Sequence, residues 1–289
     1  MPLDKLKKKP AAIEKILHFG NNFPLATMGG LLVMLFIVVA ALAPFIAPYD
    51  PNKMNLKDAL LPPGHPLHLL GTDYSGRDML SRLIYGARIS LFISSASVFM
   101  GAILGVFLGI VAAWFERLQN PIMRFIDIML SFPSIIVALT IISILGTGIN
   151  NLIFAISIYN IPVFARLAYG QALSVRNFTY IEAAVALGVT DARIMRQHIL
   201  PNITAPIIVQ FTLVIPQAIM LTAGLSFLGL GVMPPTAEWG NMLQDSLRWA
   251  VKGPHLVVLP GLALLLVVFG FNTFGDGLRV ALDPRMRNR

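Results

Sequence analysis

The sequence predicts an all-α, polytopic membrane protein with six transmembrane helices. Of its 289 residues, 56% are hydrophobic and only 12% are charged, and the mean hydropathy is +0.74. Soluble domains carry about 25% charged residues, so a soluble fold, intrinsic disorder and a nucleic-acid binder are all disfavoured. Five stretches contain no Asp, Glu, Lys or Arg, and each exceeds the roughly 20 residues that a helix needs to cross the hydrocarbon core. These stretches are residues 16–49, 89–115, 128–165, 197–237 and 253–275.

Six spans follow when these stretches are divided at their turn-forming residues. The third stretch contains a cluster of glycine, threonine and asparagine at residues 146–151, which predicts two helices joined by a short loop. The fourth opens with a polar, proline-containing run and therefore predicts one helix. The apolar part of the first stretch is too long for a signal peptide, whose core is about 7 to 15 residues. The predicted spans are residues 24–47, 90–114, 123–145, 151–170, 206–230 and 256–275.

The distribution of basic residues predicts the orientation. The formal net charge is +8, and an even number of spans places both termini on one side. Placing both termini in the cytoplasm puts 15 of the 22 lysines and arginines there, as the positive-inside rule requires. A cytoplasmic segment over residues 1–23 then precedes a transmembrane domain over residues 24–289. Residues 48–89 and 231–255 become external, and the loop at residues 171–205 becomes cytoplasmic.

The cytoplasmic loop predicts a helical hairpin. A short helix around residues 182–184 is expected to end at Gly188, and a second helix is expected to begin at Asp191 and to end before Pro201. Alanine and glycine on one side would let the backbone of a soluble partner come close. A hairpin that lies in the membrane interface without a partner is the alternative.

This hairpin resembles the EAA loop of ABC importer permeases, which contacts the ATP-binding subunit. The resemblance is carried by Glu182-Ala183-Ala184, by Gly188 and by Ile199-Leu200-Pro201. His198 stands where the general pattern has isoleucine, and it resembles the peptide-permease branch. The resemblance implies that the residues coupling this chain to an ATP-binding subunit are Glu182, Ala183, Ala184, Gly188, Asp191, Leu200 and Pro201.

Three further segments are similar to the OppC/DppC-type permeases of dipeptide, oligopeptide, glutathione and nickel importers. They are HLLGTDYSGRDMLSR at residues 68–82, LSFLGLG at residues 225–231 with the following loop to residue 243, and FNTFGDGLRVALDPR at residues 271–285. Thr222 departs from the pattern, since many such permeases carry glutamate there. The resemblance implies a type I ABC importer permease in the cytoplasmic (inner) membrane of a prokaryote. Its partners would be membrane lipid, a related permease subunit in a heterodimer, two ATP-binding subunits and an extracytoplasmic solute-binding protein, with no nucleic acid.

The expected function is that of a permease subunit forming half of a pathway for di- and oligopeptides. No Gly-Lys dipeptide occurs, so the chain has no phosphate-binding P-loop. It is therefore expected not to be an enzyme and to hold no cofactor, while partner subunits bind ATP and Mg²⁺. Import of nickel or another small solute by the same architecture is the alternative, and a secondary transporter is less favoured.

Polar residues within the spans are candidates for the translocation path. Gln210 and Gln217 lie seven residues apart and so share one face of the fifth helix, and Asn160 lies within the fourth. Hydrogen bonding between helices of the same bundle is the alternative. Asp127 is expected to pair with Arg124, three residues earlier on the same helix.

Two further patterns have structural interpretations. Gly101, Gly105 and Gly109 recur every four residues in the second span, which predicts a close approach between two helices. His65 and His68 are a conceivable metal site, but no group of carboxylates or thiols accompanies them. They are expected to hold the external segment together.

Overall fold

The computed structural model describes residues 23–282, and within that range the protein is helical. Two isolated bridges, His65 with His68 and Thr72 with Asp78, are the extended pairings of this part of the chain. Most of the predicted basic segment 1–23, and the predicted C-terminal residues from 283 onward, lie outside the described residues. The helices are α1 (Pro24–Ala41), α2 (Ala43–Ile46), α3 (Met79–Trp114), α4 (Glu116–Leu130), α5 (Ser134–Leu145), α6 (Ile149–Arg176), α7 (Thr179–Ala186), α8 (Asp191–Ile194), α9 (Leu200–Phe227), α10 (Trp239–Ser246) and α11 (His255–Leu282), with 3-10 turns at Leu56–Asp58 and Leu247–Trp249 and a π-helical segment at Met195–Ile199.

Five helical rods are long and apolar enough to cross a membrane, namely α1, α3, α6, the rod from Asp191 to Phe227, and α11. A sixth span exists if α4 and α5 count as one, but these two helices meet at an angle of 93°. The predicted span over residues 123–145 is therefore formed by two helices rather than by one. Pro133 explains the break, because it has no N–H to donate and its ring disfavours a helical conformation at Phe132.

Helix α3 begins earlier than the sequence pattern predicted. It starts at Met79 rather than at residue 90, because Asp78 caps it by accepting a hydrogen bond from the backbone N–H of Ser81 at 2.8 Å. The non-helical connection before α3 is thus shorter than residues 48–89, and the first part of α3 belongs to that range. At 1.5 Å per residue, α3 is about 54 Å long and extends well beyond a hydrocarbon core of about 30 Å.

The helix that starts at Asp191 does not end before Pro201, so that prediction is also wrong. It passes through the π-helical segment and continues as α9. In the π turn the N–H of Leu200 bonds to the carbonyl of Met195, five residues back. One wide turn directly before the proline gives its ring room that a regular α-helix would deny. The hairpin is consequently joined to a membrane span by continuous helix.

The glycine repeat of α3 packs directly against α6, as predicted. A Cβ atom at Gly101 would lie 2.6 Å from the Cβ of Asn160, and one at Gly105 would lie 2.8 Å from the Cβ of Phe164. Gly109 is equally tight, with the Cβ of Ala168 at 2.8 Å. Because contacts below 3.0 Å cannot be accommodated without movement of the backbone, this interface requires glycine.

The two ends of the bundle differ. The loop end consists of residues 47–78 together with residues 228–254, and the hairpin end consists of residues 177–199. At the loop end α10 returns into the bundle, where the ring of Trp239 is 1% exposed and its Nε1 donates to the carbonyl of Leu83 at 3.2 Å. The ring also meets Phe36 edge-on, with centroids 5.7 Å apart. The second loop is therefore part of the packed core.

Candidate coupling surface and translocation cavity

Five of the seven predicted coupling residues belong to the hairpin end, and Leu200 and Pro201 begin α9 directly after it. Helix α7 ends at Ala186 and is capped by Leu187, and Gly188 follows with a φ of +77°, a conformation that glycine adopts without strain. Ile181, Ile194 and Ile199 are buried beneath the surface and attach the hairpin to α3 and α6. Each predicted residue is exposed or half-buried; these are Glu182, Ala183, Ala184, Gly188, Asp191, Leu200 and Pro201.

An open cleft of about 1120 Å³ lies beside α7. Glu182 and Asp191 line it, and neither carboxylate has a hydrogen bond or an ion pair with the described residues. The opposite wall carries Arg176, whose Nη2 bonds to Glu116 at 3.0 Å and whose guanidinium lies 5.7 Å from the centre of the Trp114 ring. This cleft can accept a helix or a loop of another protein, with two free carboxylates available to its basic groups.

A second cavity, of about 520 Å³, opens between α5, α6, α9 and α11. Of the predicted path residues, it brings together Asn160 and Gln217 but leaves out Gln210, which is half-buried elsewhere on α9. Tyr159 and Asn272 also line it, and sequence reasoning missed both. Asn272 could have been found, because it is an amide within a predicted charge-free span, the same signal that selected Gln217.

The polar side chains of the loop end form a buried ionic cluster that the sequence did not indicate. Asp73 bonds to the Nε of Arg77 at 2.5 Å and lies 3.6 Å from the Nε of Arg82. An Nη of Arg77 lies 3.6 Å from Asp245, which belongs to α10. These contacts join the segment before α3 to the loop before α11.

The histidine pair contributes to the same end of the molecule. The Nδ1 of His68 lies 2.9 Å from Asp78, the residue that caps α3, and the ring of Tyr49 packs against His68 with centroids 4.9 Å apart. His65 pairs with His68 through the backbone bridge. Among residues 23–282 there is no group of three or more His, Cys, Asp or Glu that could hold a metal ion.

The predicted pair of Asp127 with Arg124 is wrong, because Asp127 pairs with Arg166 of α6 at 3.6 Å. Both side chains are more than half exposed, so this contact adds little stability. The pairing across helices wins over the pairing along α4 because the close packing of the bundle brings α6 within reach of α4.

Glu238 is a buried carboxylate that sequence reasoning also missed. It precedes α10 and accepts hydrogen bonds from the hydroxyl of Ser90 at 3.0 Å and from the N–H groups of Gly240 and Asn241. Thr222, the position of the departure from the permease pattern, lies deeper in the same region, with its hydroxyl 3.4 Å from that of Ser94. Burial raises the pKa of Glu238 above its ordinary value of 4.5.

Replacing Glu238 by glutamine should flatten the pH dependence of stability. A raised carboxyl pKa means that the folded protein binds the proton more tightly than the unfolded chain does. The stabilisation of the folded state by this proton is therefore fully present below about pH 4.5 and is lost as the pH rises through the raised pKa. Thermal midpoints measured between pH 4 and pH 8 should therefore fall with pH in the native protein more steeply than in Glu238→Gln. Glu116→Gln, at an exposed side chain, is the control, and equal slopes in all three proteins would contradict the prediction.

Comparison with known proteins identifies the family. Residues 105–288, more than half of the chain, match the family described as binding-protein-dependent transport system inner membrane component. The chain belongs to this family of transport permeases. Residues 24–63 match a second description, the N-terminal TM domain of oligopeptide transport permease C. The permease is accordingly a multi-pass membrane transport component.

Relatives with high similarity cover nearly the whole permease. It is 46% identical over 268 residues to the di/tripeptide transport system permease protein DppC of Pseudomonas aeruginosa (strain UCBPP-PA14), which covers 90% of this chain and 88% of the relative. It is 44% identical over 267 residues to the glutathione transport system permease protein GsiD of Escherichia coli O157:H7, which covers 91% and 87% respectively. The OppC/DppC-type resemblance is thus confirmed.

The fold is also that of an ABC importer permease. The inward-facing MetNI methionine ABC transporter matches with a TM-score of 0.59 and 20% identity, over 71% of this chain and 98% of the transporter chain. At this identity the match concerns the fold alone. Together with the helical spans, it confirms the predicted all-α polytopic class.

Proposed function

We propose that this permease forms half of the translocation pathway of a heteromeric ABC importer for di- and oligopeptides. The relatives described above are named for di- and tripeptides and for glutathione, and this favours peptides over nickel. A related permease subunit would form the other half. A solute-binding protein would deliver the peptide to the loop end, in the inner membrane of a prokaryote.

The observation that carries the coupling role is the exposed surface of α7 and its cleft. Two ATP-binding subunits, which hold ATP and Mg²⁺ and carry out hydrolysis, would dock at the hairpin end. The hairpin end and both termini would then lie in the cytoplasm, where the positive-inside rule expects the basic residues near them. Glu182 and Asp191 are free to meet basic groups of the docking subunit.

The continuous helix from Asp191 to Phe227 gives the docked subunit a mechanical connection to the membrane. Movement of the hairpin moves α9, and α9 forms one wall of the cavity that contains Gln217. Closure of the ATP-binding subunits would therefore bias the bundle between outward and inward access. A directional importer needs such a two-state bundle, because a ligand shifts only an equilibrium between states that it binds differently.

The proposal is tested by the ATPase activity of the complete complex in proteoliposomes. The expected result is stimulation by a binding protein loaded with a dipeptide or a longer peptide and none by one loaded with nickel. Glu182→Lys should abolish the stimulation while the complex still assembles, because it puts a basic group where the docking subunit needs an acidic one. Asp276→Lys, the same charge reversal at an exposed position of α11 outside the cleft, should leave stimulation intact.

Two results would overturn the proposal in different parts. Stimulation that is unchanged in Glu182→Lys would remove the coupling role from α7. Stimulation by nickel but by no peptide would replace the substrate class while leaving the importer architecture in place.

A further inference from the structure

We infer that the cavity between α5, α6, α9 and α11 is a transit site that binds peptides through their main-chain amides and does not discriminate the charge of their side chains. The inference rests on the proposed peptide import and deepens it, because it names the groups that hold the peptide inside the membrane. It follows from the chemistry of the lining, from its depth and from the unused hydrogen-bonding capacity of its side chains.

The lining is polar without being charged. Its polar members carry three amides, a phenol and a hydroxyl, and no Asp, Glu, Lys, Arg or His takes part. The remaining wall is largely apolar and can accept side chains of different shape. At about 520 Å³ the cavity lies within the range of about 300 to 1,000 Å³ that is typical of small-molecule sites. The polar members are Ser134, Tyr159, Asn160, Gln217 and Asn272.

The cavity lies near the middle of the bundle. Asn160 is 11 residues from the start of α6, and Gln217 and Asn272 are each 10 residues from the ends of α9 and α11. At 1.5 Å per residue these distances are about 15 to 17 Å along the helices. Water is scarce at such a depth unless a path admits it, and an amide left unpaired in hydrocarbon is costly.

The amides have hydrogen-bonding capacity that the permease itself does not use. The side chains of Gln217 and Asn272 are exposed in this chain, and neither makes a hydrogen bond with residues 23–282. Asn160 donates through Nδ2 to the carbonyl of Ile156 at 3.0 Å, which fixes the amide and leaves Oδ1 without a donor among those residues. Two unpaired amides and one amide with an unused acceptor therefore line one cavity.

Side-chain amides match the peptide group in particular. Each offers N–H donors and a C=O acceptor, which complement the C=O that every peptide bond carries and the N–H that every peptide bond except one before proline carries. Because the wall is neutral, it neither attracts nor repels an acidic or a basic side chain. A bare divalent nickel ion would find none of the imidazole, thiolate or carboxylate ligands that nickel prefers. The same lining thus accepts varied peptides and disfavours the metal.

The decisive test introduces a charge at Gln217. Import of Lys-Ala and of Glu-Ala is measured in proteoliposomes containing the complete complex, with the same binding protein for the native permease and for Gln217→Glu. The ratio of the two import rates with the native permease serves as the reference, so any preference of the binding protein for one dipeptide cancels in the comparison. The variant should raise the Lys-Ala to Glu-Ala ratio by about 25-fold, because two unit charges about 4 Å apart in water change an equilibrium by about fivefold, once as an attraction for Lys-Ala and once as a repulsion for Glu-Ala.

Removal of the amides gives the second arm. Gln217→Leu and Asn272→Leu should each slow the import of Ala-Ala, Lys-Ala and Glu-Ala by the same factor, because all three share the main chain. Thr212→Val is the matched control, since it removes a polar group from the same helix but outside the cavity, and it should import at the native rate. Assembly is verified by size-exclusion chromatography for every variant.

Three results of these experiments would overturn the inference, and a fourth would overturn the proposed function. An unchanged charge ratio in an assembled Gln217→Glu complex that still imports peptides would overturn the inference, and so would leucine variants that import normally. Leucine variants that fail to assemble would show that the partner permease covers these amides, which also overturns it. A native complex that imports no peptide at all would instead overturn the proposed function.

Discussion

Replacement of Gly105 by valine is expected to destabilise the permease strongly. The added Cβ would meet the carbonyl of Ile161 and lie 2.8 Å from the Cβ of Phe164, and both belong to α6. These neighbours are backbone or atoms attached directly to it, so they cannot rotate away. Overpacking of a core typically costs about 1 to 3 kcal/mol, and occasionally more. We expect the upper end of this range because α3 and α6 must move apart along several turns.

The matched control is Gly170→Val on α6. A Cβ at Gly170 would find no atom within 4 Å, so valine there should change the stability by less than about 0.5 kcal/mol, as surface substitutions usually do. The measurement is the yield of monodisperse complex in size-exclusion chromatography together with its thermal midpoint. An equal loss at both positions would show that glycine is needed for a reason other than the contact between α3 and α6.

The contact that Gly105 makes was predictable, and its neighbourhood shows why. A repeat of small residues every four positions produces one narrow flat face on any helix, so the sequence alone indicates a close approach. The identity of the partner helix is a different matter. It depends on how several apolar helices of similar length are arranged, and hydropathy does not distinguish among them.

Two errors in the helix boundaries come from proline. Pro133 lies inside an apolar run that predicts one span, but it divides that span into α4 and α5. Pro201 is predicted to follow the end of a helix, but a π turn allows the helix to continue through it. In both cases the local preference of proline is the same, and the surrounding structure decides between a bend of 93° and an uninterrupted rod.

The two candidate sites were accessible from the sequence to different degrees. The predicted coupling residues follow from one motif within 20 residues of sequence, and all of them are exposed or half-buried. The cavity combines residues from four helices, so Gln217 was found while Asn272 was missed. Gln210 shares a helical face with Gln217, but it lies two turns nearer the start of α9, outside the cavity. The spacing of residues in the sequence predicts which face of a helix they share, but it does not predict how deep in the membrane each of them lies.

The ionic cluster at the loop end could not be predicted, because it joins residues far apart in the chain. The side chains of Asp73 and Arg77 are 7% and 2% exposed, and Arg82 is equally buried. Asp73 also accepts hydrogen bonds from the N–H groups of Ser75 and Arg77 at 2.8 and 2.9 Å. Asp73 thus pairs with two buried guanidinium groups, of which only that of Arg77 also lies within 4 Å of Asp245, and it fixes the turn before α3.

Replacement of Asp73 by alanine is therefore expected to destabilise the permease by about 3 to 5 kcal/mol, the cost of leaving a buried charge without its partner. For a chain of this size that corresponds to a fall of roughly 6 to 20 °C in the thermal midpoint of the complex. Asp73→Asn should lose less stability than Asp73→Ala, because the amide oxygen of asparagine can still accept hydrogen bonds from the two backbone N–H groups. Asp50→Ala, at an exposed aspartate of the same segment, should lower the thermal midpoint by no more than a degree or two, about the effect of a surface substitution. A similar fall for Asp50→Ala and Asp73→Ala would mean that the cluster contributes no more than an exposed loop residue, since only the buried carboxylate has two guanidinium groups that depend on it.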